Sequence, residues 1–433
     1  MNLLYSNDTQ GAFPDSWYAA TAHPREPHAQ LRGDAEADVC VVGGGYTGLS
    51  AALHLAERGY KVALVEAHRA GFGASGRNGG QLGSGQRAEQ DTLEKLVGDA
   101  DAMKLWHLAE EAKTLVKDLI SKHKIDCALK PGIAHACFSA REMQHEHAYV
   151  EHLQTRYNYD QIKPLDANEL HTICPSPRYK GGSLDMGAAH LHPLNYALGL
   201  AKACEAAGVT FYENTHVHNI VEGDTLTIRC DTGRIRARHL ILACNGYLGG
   251  LNRRVAGRVM PINNFIAATE PLGDDAAKVL SKDVAVADSK FVVNYFRLSA
   301  DKRLLFGGGE SYGYKFPDID KTVRKPMAEI FPHLQDVKFT HTWGGTLAIT
   351  INRLPYLARF GPNILSASGY SGHGVGTATH AGKLMADAVA GQAESFDIMA
   401  KIPTSPFPGG PAFRTPLLTL AMTWYAMRDR LGI

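Results

Sequence analysis

A short apolar run, Asp38-Val-Cys-Val-Val42, leads straight into a glycine turn, Gly43-Gly-Gly45-Tyr-Thr-Gly48. The run suits a buried parallel strand. After the turn, Leu49, Ala52, Leu53, Leu55 and Ala56 recur at helical spacing until Gly59, a natural C-cap. A second strand, Lys61-Val-Ala-Leu-Val65, follows and ends on Glu66. Together these make a β-α-β unit of about thirty residues, the architecture that binds dinucleotides. The glycines divide the work. Gly43 permits the tight turn, Gly45 lets the backbone approach a pyrophosphate, and Gly48 lets the helix lie close to the strand. The first N–H groups of the helix, with Tyr46 and Thr47, then face the phosphates. Glu66, at the tip of the second strand and followed by Ala67, can accept ribose hydroxyls and disfavours a 2′-phosphate.

The motif alone is weak, because 44 of 433 residues are glycine and the same spacing recurs at Gly71-Phe-Gly73-Ala-Ser-Gly76. That second copy has no strand directly before it and no helix after it. It belongs instead to a glycine-dense stretch reaching Gly79, Gly80 and Gln81, with Ser75, Arg77 and Asn78 as polar contacts. Such a stretch can pass flat against a planar group. An NAD enzyme would continue into further β-α repeats here, so a flavin lying across the domain, as FAD, explains the stretch better.

Composition sets outer limits. Lys+Arg total 45 against Asp+Glu 44, a formal charge of +1, which argues against a nucleic-acid backbone as partner. The seven cysteines are widely spaced without a C-x-x-C pair, which fits reduced thiols rather than disulfides. No signal peptide is visible in Met1–Pro14, and no apolar run approaches the roughly 18 residues of a spanning helix. A cytoplasmic location is therefore expected. The histidine pairs His145/His147, His190/His192 and His216/His218 lack H-E-x-x-H spacing or a third ligand, so no metal is expected.

The Ala74-Ser-Gly-Arg-Asn-Gly-Gly80 loop, together with the start and a later segment Gly369-Tyr-Ser-Gly-His-Gly-Val375, resembles the D-amino-acid-oxidase superfamily of FAD enzymes. Within it the chain is most similar to the bacterial γ-glutamylputrescine oxidoreductases. The likeness extends through Leu191-His-Pro-Leu-Asn195, Ala268-Thr-Glu-Pro-Leu272, Asp301–Gly309, Pro406–Gly410 and Arg428–Gly432. It implies an α/β fold, α+β overall, with a Rossmann-type FAD-binding domain of the glutathione-reductase type and a substrate domain built on a mixed or antiparallel sheet. The FAD-binding domain is then discontinuous, over 1–85, 185–250 and 355–400. The substrate domain takes 86–184 and 251–354, and 401–433 forms a tail. Local patterns agree: Leu194–Ala207 reads as a helix, Gly208–Tyr212 and His239–Cys244 as strands, and Asp288–Phe296 and Arg303–Gly309 as strands of the substrate sheet. The resemblance brings the backbone at Val217 to the adenine and puts Asn245 and Gly246 on the cofactor side. Gly372, His373, Gly374, Val375, Gly376 and Thr377 follow the strand Ile364–Ala367 and open a helix. Its N-terminus is expected to face the flavin N1–C2=O edge and stabilise the reduced ring. His373 either contacts the ring or substrate, as the catalytic candidate, or orients the loop.

Amine oxidation requires a C–H pointed at flavin N5, an unprotonated nitrogen and a dry pocket. Hydride transfer gives an imine, which water converts to an aldehyde and ammonia. Amino-acid oxidases of the superfamily usually place an arginine a few residues after a tryptophan, clamping the substrate α-carboxylate; after Trp343 this chain has Leu347. That favours an amine whose reacting carbon carries no carboxylate, such as γ-glutamylputrescine in polyamine breakdown. Arg297 and Arg353 are candidates for a distant carboxylate, and Tyr295 and Trp343 for an apolar slot. The alternatives are a secondary-amine oxidase for a pipecolate-like imino acid or N-methyl amino acid, and an FAD-binding subunit without turnover. Oxygen or another acceptor reoxidises the flavin, and a monomer or homodimer is expected. Leu417–Leu431 has helical spacing, read as a helix docked on the protein's own surface.

Overall fold

The strand begun at Asp38 is longer than its apolar run: Gly33–Val42 is the centre of a parallel sheet. In the computed structural model, which describes residues 3–408, it pairs on one side with Val62–Val65 and on the other with Gly233–Leu242. Thr210–Tyr212 and Ile364–Ser368 extend the sheet outward in the same direction. Tyr356–Phe360 closes one edge in antiparallel fashion, and Leu226–Cys230 pairs antiparallel with the first half of Gly233–Leu242. Val39, Cys40, Val41 and Val42 are all buried because both faces of the sheet are covered. Val39, Val41 and Ile241 face the helices Tyr46–Ala56, Pro193–Ala206 and Gly374–Val389. Cys40, Val42 and Leu242 pack against Val217, Ile228 and Val255 on the opposite side.

Two glycines set how close these layers come. A Cβ on Gly48 would lie 1.8 Å from the Gly43 carbonyl oxygen, and one on Gly382 would lie 2.3 Å from that of Thr47. Both positions therefore admit only glycine at this spacing. The helix Tyr46–Ala56 is clamped between its own strand and Gly374–Val389.

The second sheet is mixed. Its strands run in the order Phe339–Ile349, Met260–Thr269, Leu304–Ser311, Tyr295–Leu298, Ala285–Asp288, Lys130–Ala136, Gly182–His190 and Gln81–Leu82. Its pairings are antiparallel except that between Ala285–Asp288 and Lys130–Ala136. Phe265, Phe296 and Phe306 point to one face, where Val323, Met327 and Ile330 of the helix Ile319–Ile330 cover them. The alternate residues, among them Asn264, Tyr295 and Leu347, face the other way, toward the first sheet.

The stretch Asp288–Phe296, expected as strand, is mostly a loop that joins Ala285–Asp288 to Tyr295–Leu298. Asp288 accepts the N–H groups of Lys290 and Asn294, at 3.2 and 2.9 Å, and so turns the chain into a loop. The helix Asp99–Lys122, within the stretch assigned to the substrate domain, buries Leu105, Leu108 and Val116 in the core beneath the first sheet. All seven cysteines are free. Among the described residues no helix is long and apolar enough to cross a membrane. The helix expected at Leu417–Leu431 lies outside the described residues.

Candidate active site

The carboxyl ends of the parallel strands and the inner face of the second sheet enclose a cavity of about 450 Å³. Ligands of open α/β sheets bind at such strand ends. At one end Glu66 and Ala67 line it together with Leu4, Thr215, His216 and Val217. The Glu66 carboxylate accepts the Gly44 N–H at 2.7 Å and that of His68 at 2.9 Å, and burial raises its pKa. It is thereby held at the strand tip with lone pairs to spare for hydroxyl donors.

Next come Gly43, Gly45, Tyr46 and Thr47. Gly43 has a φ of +110°, and a Cβ on Gly45 would meet the Ser75 hydroxyl at 2.8 Å. The helix Tyr46–Ala56 opens without a cap from Gly45, and Ser75 Oγ takes the Tyr46 N–H at 2.9 Å. The remaining free N–H groups and the positive end of the helix suit an anion. The glycine-dense stretch then passes along the cavity through Gly73, Ala74, Ser75, Arg77, Asn78, Gly79 and Gln81. A second helix, Gly374–Val389, also opens on the cavity without a side-chain cap, beside Gly372, His373, Gly374 and Val375. Thr47 Oγ1 and the Tyr370 hydroxyl, 2.7 Å apart, tie the two helix starts together. The cavity floor is a row across the second sheet: His135, Ala287, Tyr295, Asn264, Ile262, Gly345 and Leu347. A glycine cradle, an acid at the strand tip and a long flat floor fit a dinucleotide that carries a ring system.

Several expected contacts prove to be supports. Gly48, Gly80, Gly246, Gly376 and Thr377 do not line the cavity. A Cβ on Gly80 would lie 2.0 Å from the Leu191 oxygen and one on Gly246 2.8 Å from that of Leu347, so both serve close packing. Gly376 lies against Leu82, and Thr377 is buried within its helix. Arg297 and Trp343, expected at the substrate, do not line the cavity either. The Arg297 guanidinium donates to the Gly79 and Leu191 carbonyls at 3.2 and 3.1 Å, and Trp343 Nε1–H donates to Arg77 O at 3.1 Å beneath Tyr18. Neither side chain is free to meet a ligand. Asn245, which lines the cavity, accepts the Gly369 N–H at 3.0 Å. His190 is fully buried, and His192 caps the helix Pro193–Ala206 by accepting the Asn195 N–H at 3.1 Å.

His373 lines the cavity and also holds the neighbouring loop. Its Nε2–H donates to Gly85 O at 3.0 Å, and burial with the Arg87 charge nearby pushes its pKa down to about 4, so the ring is neutral. Tyr295 donates its hydroxyl to Asn264 Oδ1, and the missing side chain of Gly307 makes room for its ring, where a Cβ would come within 2.1 Å. Arg353 and Leu347 both line the cavity.

Other lining residues escaped sequence reasoning: Arg87, His135, Asp288, Phe291 and Glu310. Glu310, a charge ending a strand after three glycines, and Asn264, a polar residue in an apolar strand, carried a usable signal. Arg87 sits in a loop with no pattern at all.

Comparison with known proteins agrees with this geometry. A family model described as DAO, FAD dependent oxidoreductase, matches residues 38–388. The chain is 40% identical over 422 residues to the γ-glutamylputrescine oxidoreductase of Escherichia coli K12, covering 96% of this chain and 99% of that one. It is 41% identical over 420 residues to a probable oxidoreductase, OrdL, of Rhizobium meliloti, covering 96% and 97%. The solved structure of glycine oxidase from Geobacillus kaustophilus matches with a TM-score of 0.69 at 22% identity, over 83% of this chain and 95% of that one, a likeness of fold. The chain therefore belongs to the DAO family of FAD-dependent oxidoreductases and is an amine oxidoreductase whose cofactor is FAD.

Proposed function

We propose that the protein oxidises the terminal amine of γ-glutamylputrescine, or of a close relative, to an imine that water converts to an aldehyde and ammonia. When bound, FAD supplies the two-electron acceptor for the hydride. Gly43, Gly45 and Thr47 would hold its pyrophosphate, Glu66 a ribose, and Gly73–Gln81 with Gly372–Val375 the flavin end. The observation that carries this reading is Leu347. It lines the cavity floor with Ile262 and Tyr295, so a carboxylate on the reacting carbon would find no fork of donors there. Arg77 Nε donates to Phe72 O and its Nη1 to Asp8 and Gly344 O, which ties the guanidinium to the protein and pairs its charge, while the buried Nη2 has no partner among the described residues. The apolar floor favours a methylene chain and the neutral form of the amine, since burial disfavours an ammonium. The 40% identical relative, named for γ-glutamylputrescine, supports the same substrate.

The test is anaerobic bleaching of the protein-bound flavin by γ-glutamylputrescine, putrescine, pipecolate and sarcosine, followed by air. The expected result is fastest bleaching by γ-glutamylputrescine. Bleaching by pipecolate but not by γ-glutamylputrescine would assign a secondary-amine oxidase, and no bleaching by any amine a subunit without turnover.

A further inference from the structure

We propose that Arg87, Glu310 and Arg353 form a recognition site for an α-amino-acid head at the end of the substrate away from the reacting carbon. In this assignment the two guanidiniums take the α-carboxylate and Glu310 takes the α-ammonium. The inference rests on the ω-amine reading above and names what that substrate must carry.

Three separate segments bring these charges to one cavity. Arg87 follows the short strand Gln81–Leu82, Glu310 lies near the end of Leu304–Ser311, and Arg353 sits in the turn after Phe339–Ile349. Cavity-lining Arg77 shows what a structural arginine looks like here: its side chain is 1% exposed and paired to Asp8 at 3.0 Å. The other two are unlike it. Among the described residues, neither Arg87 nor Arg353 forms an ion pair within 4.0 Å, and neither does Glu310. Among the described residues the Arg87 side chain makes one hydrogen bond, Nε to Ser371 O at 3.2 Å, and neither terminal nitrogen is engaged by them. The Arg353 guanidinium lies over the Phe291 ring, 5.2 Å from its centre. Glu310 accepts from the Tyr312 hydroxyl at 2.9 Å, leaving its other oxygen available.

The backbone adds an independent observation. Arg353 has a φ of +62°, a left-handed conformation that suits glycine and strains a long side chain. The turn is held by Thr350, whose carbonyl accepts the Arg353 N–H at 3.3 Å and whose hydroxyl donates to Leu354 O at 2.6 Å. Strain maintained in this way at a cavity wall is characteristic of a positioned functional group. Burial lowers the pKa of Arg87, with the Arg353 charge acting in the same direction, and burial raises that of Glu310 against the pull of both arginines, so the three charges sense one another across the cavity. Two cations and one anion match a carboxylate and an ammonium on one carbon. They disfavour a second bare ammonium, so a plain diamine should be selected against.

The test is anaerobic calorimetric titration of the FAD-loaded protein with butylamides that lack the terminal amine of the putrescine arm. γ-Glutamylbutylamide carries the whole head, glutarylbutylamide lacks the ammonium, and 4-aminobutyrylbutylamide lacks the carboxylate. R353L and R87L should each weaken γ-glutamylbutylamide and glutarylbutylamide by about tenfold or more and leave 4-aminobutyrylbutylamide within about twofold. E310Q should weaken γ-glutamylbutylamide but not glutarylbutylamide. R353K, which keeps the charge, should recover part of the loss and guards against a folding defect. The proposal is overturned if wild-type protein does not bind γ-glutamylbutylamide, if the arginine variants bind it normally, or if every variant weakens all three amides alike. Should this pattern appear while γ-glutamylputrescine fails to bleach the flavin, the head site stands and the reaction assigned above falls.

Discussion

Leu347 and Gly48 show two ways in which one residue decides this site. Leu347→Arg places a guanidinium in the apolar floor. Its expected outcome is a fall in kcat/KM for γ-glutamylputrescine of about 100-fold, because a long charged side chain displaces the methylene chain. A measurable gain with amines carrying an adjacent carboxylate should accompany it, and steady-state kinetics on both substrates checks this. Gly48→Ala should lose flavin during purification, since the new methyl would sit 1.8 Å from the Gly43 oxygen and push the helix off its strand. The ratio of flavin absorbance to protein absorbance measures it. Both residues were legible in the chain, because a glycine forced by close approach and an apolar residue beside a tryptophan are local facts. Arg353 was legible only as a candidate. Its left-handed backbone depends on Thr350 and on the loops around it, which no window of sequence displays.

Among the elements, the N-terminal segment was the least visible in advance and holds much of the site together. Residues 3–14 have no helical or strand period, so pattern reading passes over them. In the fold Leu4 lines the cavity, Leu4 O lies 2.8 Å from His68 Nε2, and His68 stacks on Phe72 with ring centres 3.6 Å apart. Asn7 reaches the second sheet's loop, donating to Tyr314 O at 2.8 Å and accepting from Phe316 N at 2.9 Å. Asp8 pairs with Arg77, their side chains only 7% and 1% exposed. Removing one partner of a buried pair leaves the other charge uncompensated, so Asp8→Ala should cost about 3 kcal/mol and release flavin more readily than Asp8→Asn. Denaturant unfolding followed by flavin fluorescence checks both. The β-α-β unit at Gly33–Val65 was the opposite case, because strand, turn, helix and strand all lie within one short stretch. The loop within Asp288–Phe296 was hidden because it is made by an aspartate that bonds its own loop rather than by any breaker residue.

For the whole molecule, charge buried at many sites sets a pH response. Burial drives His190, His373 and His380 down to about 4 and His192 to about 3, against an ordinary value of 6.5. The unfolded chain therefore takes up protons on these histidines as the pH falls below 6.5 while the folded chain does not. Their stabilising contribution is complete above 6.5 and is lost as pH falls toward 4. Asp288, raised to about 6 by burial, acts oppositely between its ordinary 3.8 and 6, as do Glu66, Glu89 and Glu310, which burial also raises, whereas His54, His68 and His239, lowered by burial, add to the fall. His135, held above its ordinary value by Glu146 despite burial, acts only on the alkaline side. The Tm of the FAD-loaded protein should fall by roughly 5–10 °C between pH 7.5 and pH 5. A scanning-calorimetry series shows it, and a flat profile would remove the argument.

The central strand carries a consequence for how the protein is made. Asp34 meets Arg234 across the sheet, 200 positions later in the chain. During synthesis the β-α-β unit leaves the ribosome with one edge of its best-buried strand bare until that neighbour emerges. Residues 345 to 378, which complete the cavity walls, arrive later still. Cofactor loading is therefore a late event, and flavin supply acts on finished chains rather than on nascent ones.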